Sequence, residues 1–208
     1  MKAFVLMPKA LRNVLKLHMQ DLIAGAVESA SNLNSEDHFL YKNYGKANFR
    51  IKQISDKIVY DIYHHVPFNI IAREFGYIAH YVTDLNNPLH SAGQDVKSKL
   101  CQREFNKFMI NNLEKFPFVF YGYSSKNLEK NDIYAFTDSI VERSSMLREQ
   151  LLEKMYNGGK VIPAEKFDEK SIVFGVAAIS FQHSVSNTAQ LWYHIWKNAH
   201  GDMRLEWN

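Results

Sequence analysis

His80 and Asp84 stand four residues apart, and His90 follows Asp84 after five intervening residues that include Pro88 and Leu89. On a helix, positions four apart share a face. Zinc accepts both imidazole nitrogen and carboxylate oxygen, so this pair presents two ligands to one ion with little chain left to order. Pro88 stops such a helix and turns the chain back, which can carry His90 toward the same face. Gly76, one turn before His80, would let another backbone or side chain come close. A His/Asp pair at this spacing is by itself more often a surface ion pair or a satisfied core histidine. The proline stop and the third ligand-type residue are what weigh toward a metal.

The elements that must position these residues read as helices. Leu11, Val14, Leu15, Leu22 and Ile23 recur at roughly helical spacing after Pro8, which suits a first helical turn. Residues 29–44, rich in Ser, Asn, Asp and Gly, read as a loop. The stripe Ile51, Ile54, Ile58 and Ile62 predicts a helix over about 47–64, ended by Val66-Pro67. Ile70, Ile71, Phe75, Ile78 and Val82 predict the next over about 67–86, and Phe105, Phe108, Met109 and Leu113 another over about 98–114. An aromatic loop covers 116–130. Long helices follow at about 132–156 and 168–199, separated by the turn Asn157-Gly158-Gly159. No strand alternation, internal repeat or low-complexity tract stands out. The expectation is a single all-α domain over 1–208.

Composition sets wide bounds. The chain has 208 residues, 46% hydrophobic, enough for a sizeable core, and 23% charged, as in ordinary soluble domains. The formal net charge of +3 is too small to argue for nucleic acid, though it favours an anionic substrate such as a phosphate ester. Lys and Arg look scattered, with no basic stripe. One cysteine, Cys101, excludes an intrachain disulfide. No apolar run has the length of a transmembrane segment. The N-terminal apolar run is too short for a secretion signal, which leaves a cytoplasmic chain or one that begins after a removed segment.

The run His80-Tyr81-Val82-Thr83-Asp84-Leu85-Asn86-Asn87-Pro88-Leu89-His90 resembles the signature of bacterial zinc-dependent phospholipases C and single-strand-specific nucleases. Ala72-Arg73-Glu74-Phe75-Gly76-Tyr77-Ile78-Ala79 resembles the usual approach to it. Gly25-Ala26-Val27-Glu28 and His38-Phe39 resemble an earlier ligand loop, and Asn187 through Trp196 resembles the closing helix. The resemblance implies an all-α fold, a zinc cluster and a phosphate-ester substrate, either a phospholipid headgroup or a nucleic acid. It implies His38, His80 and Asp84 at a buried zinc, with Glu28, or failing that Asp37, as its further carboxylate. Asp84 would bridge two ions, and Asp84 and Glu28 would orient the nucleophile. His90 would bind a more exposed zinc, with Glu104 as its acidic ligand. Members of this superfamily are commonly exported.

Three departures stand against a complete cluster. Leu100 occupies the place, four before Glu104, where a second His belongs; Cys101 beside it is either a thiolate ligand or a buried small hydrophobe. No Trp precedes Trp192 to match the family's N-terminal Trp ligand, so either this chain lacks a leading segment or that metal has been lost. His18, the only early His, lies nearer the ligand loop than the family's does. Three readings therefore stay open: a zinc-dependent phosphodiesterase using metal-activated hydroxide, a non-catalytic zinc-binding scaffold of the same fold, or a helical module without metal in which these residues form a buried hydrogen-bond network. Elsewhere, His64-His65 reads as solvated, His183 and Asn187 as core or supporting hydrogen bonding, and Tyr121 and Tyr123 as packing residues. His194 and His200 carry no signal.

Overall fold

The computed structural model describes residues 2–31, 35–41, 44–91 and 95–205, and among them helices dominate. In chain order these are α1 (Lys2–Val5), α2 (Lys9–Leu17), α3 (Met19–Ala30), α4 (Ala47–Tyr63), α5 (Phe68–Leu85), α6 (Pro88–Ser91) and α7 (Val96–Asn111). There follow α8 (Lys126–Glu129), α9 (Ile133–Ser145), α10 (Arg148–Met155), a hairpin of β1 (Tyr156–Asn157) and β2 (Lys160–Val161), and α11 (Ile172–Asn198). The expected all-α class holds. No helix among the described residues is long and apolar enough to cross a membrane.

Several boundaries differ from the periodicity. The single helix expected after Pro8 is two, because His18 leaves helical geometry at φ −108°, ψ 31°. Pro8 is the residue before α2, not part of its first turn. Ser29 belongs to α3, so the expected loop starts later; positions 32–34 and 42–43 of that loop lie outside the described residues. The helix expected over 132–156 is α9 plus α10. Gly158 and Gly159, with φ of 55° and 81°, close the small hairpin, since positive φ at both central residues matches the twist of paired strands.

α5 is the central element. Its residues Ile71, Phe75, Ile78 and Val82 are fully buried among Leu22, Ile51, Ile58 and Trp192, and Phe75 meets Trp192 edge-on at 5.5 Å. Each such side chain contributes about 1.5–3 kcal/mol by leaving water. A second apolar cluster joins Cys101, Phe105 and Phe108 of α7 to α10 and α11. Cys101 is a fully buried free thiol, and burial pushes its pKa up, so it is the small hydrophobe rather than a thiolate ligand.

α3 and α5 touch backbone to backbone. A Cβ at Gly76 would fall 2.1 Å from the Leu22 carbonyl oxygen, and one at Gly25 would fall 1.9 Å from that of Arg73. The close approach expected at Gly76 is therefore made by α3, and it fixes α5 one turn before His80.

Candidate metal centre

His80 and Asp84 project from the last two turns of α5. His38 ends a 3₁₀ turn over Ser35–His38 and is buried against α5, its ring centroid 5.2 Å from those of His80 and Tyr81. Two backbone bonds tie this turn to the start of α4: Lys46 N–H donates to the Glu36 carbonyl at 2.6 Å, and Ala47 N–H to that of Phe39 at 3.3 Å.

The bend that delivers His90 is built from Asn86 to Leu89. Asn86 ends α5, its Nδ2 donating to the Val82 carbonyl, while Asn187 Nδ2 from α11 donates to Asn86 Oδ1 at 2.9 Å. Asn187 is thus a buried supporting group, as its type and spacing suggested. Asn87 Oδ1 then accepts from Leu89 N–H, and Pro88 opens α6 in the helix position where its missing N–H costs nothing.

Three ligand atoms converge. His38 Nδ1 lies 2.8 Å from Asp84 Oδ2, His80 Nε2 lies 3.0 Å from the same oxygen, and the two ring nitrogens are 3.2 Å apart. A tetrahedral zinc with bonds of about 2.0–2.1 Å would separate its ligand atoms by about 3.3 Å, so the triangle matches one shared ion to within about half an ångström. Two nitrogens and one oxygen are also the donor set that zinc accepts. This His38–His80–Asp84 group could hold a metal. His90 approaches the other carboxylate oxygen, with Nε2 3.6 Å from Asp84 Oδ1, and its ring lies parallel to that of His38 at 6.1 Å.

The electrostatics centre on Asp84. Burial acts to raise its carboxyl, but hydrogen bonds from His38 and His80 and the charge of His90 outweigh it and hold the pKa below the ordinary carboxylate value. Burial also depresses His90, against the opposing pull of Asp84. The sign for metal-stripped protein follows from both. A depressed carboxyl contributes stability above about pH 3.9 that is lost as pH falls through its folded value. A depressed imidazole makes the folded state a weaker proton acceptor, so stability also falls as pH drops below about 6.5. Chelator-treated protein is expected to melt at progressively lower temperature as pH is lowered below about 6.5, with a shallower slope in His90→Gln. Equal slopes in the two proteins would remove His90 from this balance.

The group lines a cleft of about 810 Å³. Lys2 and Ala3 of α1, Ala30, and Phe181, Ser184 and Val185 of α11 make part of its wall. α7 contributes Gln102, Asn106, Met109 and Ile110. Ser180 is buried on this wall, and its Oγ has no hydrogen-bond partner among the described residues.

Other candidate ligands are placed elsewhere. Glu28 is exposed and engaged outside the group: its carboxylate accepts from Arg73 at 2.9 Å and from Tyr77 Oη at 2.7 Å. It lies on a helical turn of α3, and the structure does not bring it to the converging group. Asp37 does not join the converging atoms despite its neighbour His38. Helical phase keeps Glu104 out of the cleft lining. Two residues after Gln102 it points well round α7, and its Oε2 accepts from the Ala164 amide at 2.9 Å. Leu100 is half-exposed on the outer face. His18 faces Asp21 at 3.6 Å between α2 and α3, away from the cleft wall.

Gln102 and Asn106, four apart on the cleft face, are what the sequence reading missed. The buried stripe Cys101, Phe105 and Phe108 fixes the phase of α7 and would have located them. Lys2 was also missed, because nothing local to it signals a site. In the aromatic loop, Tyr123 stacks on Tyr193 at 4.3 Å and is a packing residue, whereas Tyr121 is exposed, its hydroxyl 3.1 Å from Gln182.

No protein-family model and no curated protein matches the chain. Among solved structures, it resembles alpha-toxin of Clostridium perfringens from the avian strain SWCP, with a TM-score of 0.69 over 96% of this chain at 15% identity. The two share a fold. The chain spans 62% of the length of alpha-toxin.

Proposed function

We propose that this protein is a zinc-dependent phosphodiesterase acting on phospholipid headgroup esters or nucleic-acid phosphodiesters. The observation that carries the reading is the convergence of His38 Nδ1, His80 Nε2 and Asp84 Oδ2 on the lining of a cleft large enough for a phosphate ester. The fold shared with alpha-toxin and the His80-to-His90 signature support it.

His38, His80 and Asp84 would hold one ion, and Asp84 Oδ1 with His90 would begin a second position. Zinc bound there supplies Lewis acidity toward phosphate oxygens and makes hydroxide available near neutral pH. The rest belongs to the chain's own groups. The buried Asp84 carboxylate keeps its charge and orients the imidazoles around it. The amides of Gln102 and Asn106, together with the Lys2 ammonium, line the wall where phosphate oxygens would lie. Asn87 Nδ2 donates to Asn106 Oδ1 at 3.2 Å, which leaves the Asn106 amide N–H groups free to donate. The apolar wall excludes water and accepts the ester's organic part.

A second reading, a non-catalytic zinc-binding scaffold, is favoured by that same stretch of α7. Gln102 and Asn106 are neutral amides, which are poor zinc ligands, beside the position that His90 begins. Hydrolysis of a nitrophenyl phosphodiester separates the two. The expected result is turnover that chelation removes, zinc restores and His80→Ala abolishes. Zinc-loaded protein without turnover would leave the scaffold.

A further inference from the structure

The outer face of α7 is built backwards for a soluble helix. Its buried side carries Cys101, Phe105 and Phe108, yet the solvent side also presents aliphatic residues: Val96 is 72% exposed, Leu100 49% and Ile110 74%. Interleaved with them are Lys99, Arg103 and Lys107, spaced by four so that the helix gathers them into one stripe. The basic residues that look scattered in the sequence are aligned here by the fold. Lys107 is paired with Glu165, but among the described residues no carboxylate pairs with Lys99 or Arg103. The two acids nearest in sequence are engaged, Asp95 with Arg148 and Glu104 with the Ala164 amide.

We propose that this face of α7 docks on an anionic lipid bilayer. Aliphatic side chains set among Lys and Arg on an exposed helix face are the composition that lies in a membrane interface, the aliphatics entering the acyl boundary and the cations meeting lipid headgroups. The patch is continuous with the cleft: Gln102, Asn106 and Ile110 line both the cleft and the shallow depression that holds Lys99, Arg103 and Lys107. A bilayer seated on α7 would therefore lie against the rim of the cleft. Two other occupants fit less well. A single-stranded nucleic acid would call for aromatic platforms, and the exposed face of α7 has none. A second copy packed through this face about a two-fold axis would bring two basic stripes together. Docking is a property of this surface and needs no metal.

Co-sedimentation with vesicles tests it, using phosphatidylcholine alone and phosphatidylcholine mixed with phosphatidylserine. Wild-type protein is expected to sediment with the mixed vesicles, less so as salt is raised, and not with the neutral ones. The double variant Lys99→Gln/Arg103→Gln should bind about 30-fold more weakly, and Ile110→Ser about 10-fold more weakly. All three positions are exposed, so unchanged melting temperatures are expected to accompany the loss. Wild-type protein that ignores anionic vesicles, or variants that bind as wild type does, would overturn the proposal. So would a loss seen against a single-stranded oligonucleotide but not vesicles, or a dimer that Ile110→Ser dissociates while vesicle binding persists. His80→Ala should keep full vesicle binding, so failure of the zinc chemistry and failure of docking are read separately.

Discussion

Gly76→Ala is expected to destabilise the protein by about 2 kcal/mol net, lowering its melting temperature by roughly 4–8 °C for a chain of this size. The added methyl would fall 2.1 Å from the Leu22 carbonyl oxygen and 2.8 Å from the Ala26 nitrogen, both backbone atoms that cannot rotate away. Overpacking of this kind costs about 3 kcal/mol, and alanine's better helix propensity returns about 1 kcal/mol. Gly175 supplies the control. It sits in α11 with open space around its Cβ position, so Gly175→Ala should be neutral or stabilising by up to about 1 kcal/mol. Because Gly76 precedes His80 by one turn, any displacement of α5 moves two of the three converging groups together. Weaker zinc binding should therefore accompany the lower melting temperature. Equal melting temperatures for Gly76→Ala and Gly175→Ala would show that α3 and α5 do not need backbone contact.

Asp84→Asn is expected to lower zinc affinity by more than about 100-fold, read by competition with a chromophoric chelator. Asp84 is the hub: Oδ2 faces His38 and His80, and Oδ1 faces His90. Asparagine keeps the volume and one acceptor oxygen but loses the charge that attracts the ion. It also puts an amide N–H₂ where an imidazole nitrogen or a metal would be. Metal-stripped Asp84→Asn should lose about 1.5–3 kcal/mol as well, through its charge-assisted hydrogen bonds. Glu28→Gln should leave zinc affinity unchanged, since the Glu28 carboxylate is occupied by Arg73 and Tyr77. Zinc retention by Asp84→Asn comparable to wild type would contradict the central role of this carboxylate.

Those parts of the site that depend on local chain geometry were legible in the sequence. The helix carrying His80 and Asp84, and the Pro88 bend that returns His90, each follow from residues only a few positions apart. The glycine contact one turn earlier was legible for the same reason. His38 was not visible from spacing, because it lies 46 positions from Asp84 and meets it only through tertiary folding; the resemblance suggested it. Glu28 is not brought to the group because α3 runs on to Ala30, so it sits on a helix where Arg73 and Tyr77 of α5 engage its carboxylate. Glu104 stays off the cleft for a reason of phase: the stripe buried by α7 turns Gln102 and Asn106, not Glu104, toward it. The split of the long C-terminal helices into α9 and α10 had no Gly or Pro at the break to announce it.

The most direct measurement is the zinc content of purified wild-type protein by plasma mass spectrometry, after exhaustive dialysis against metal-free buffer. His38 Nδ1, His80 Nε2 and Asp84 Oδ2 lie close enough to share one ion, so at least one zinc per chain is expected to remain, and to disappear in His80→Ala. Protein that keeps no zinc after being loaded with it, or His80→Ala that keeps as much as wild type, would contradict the account.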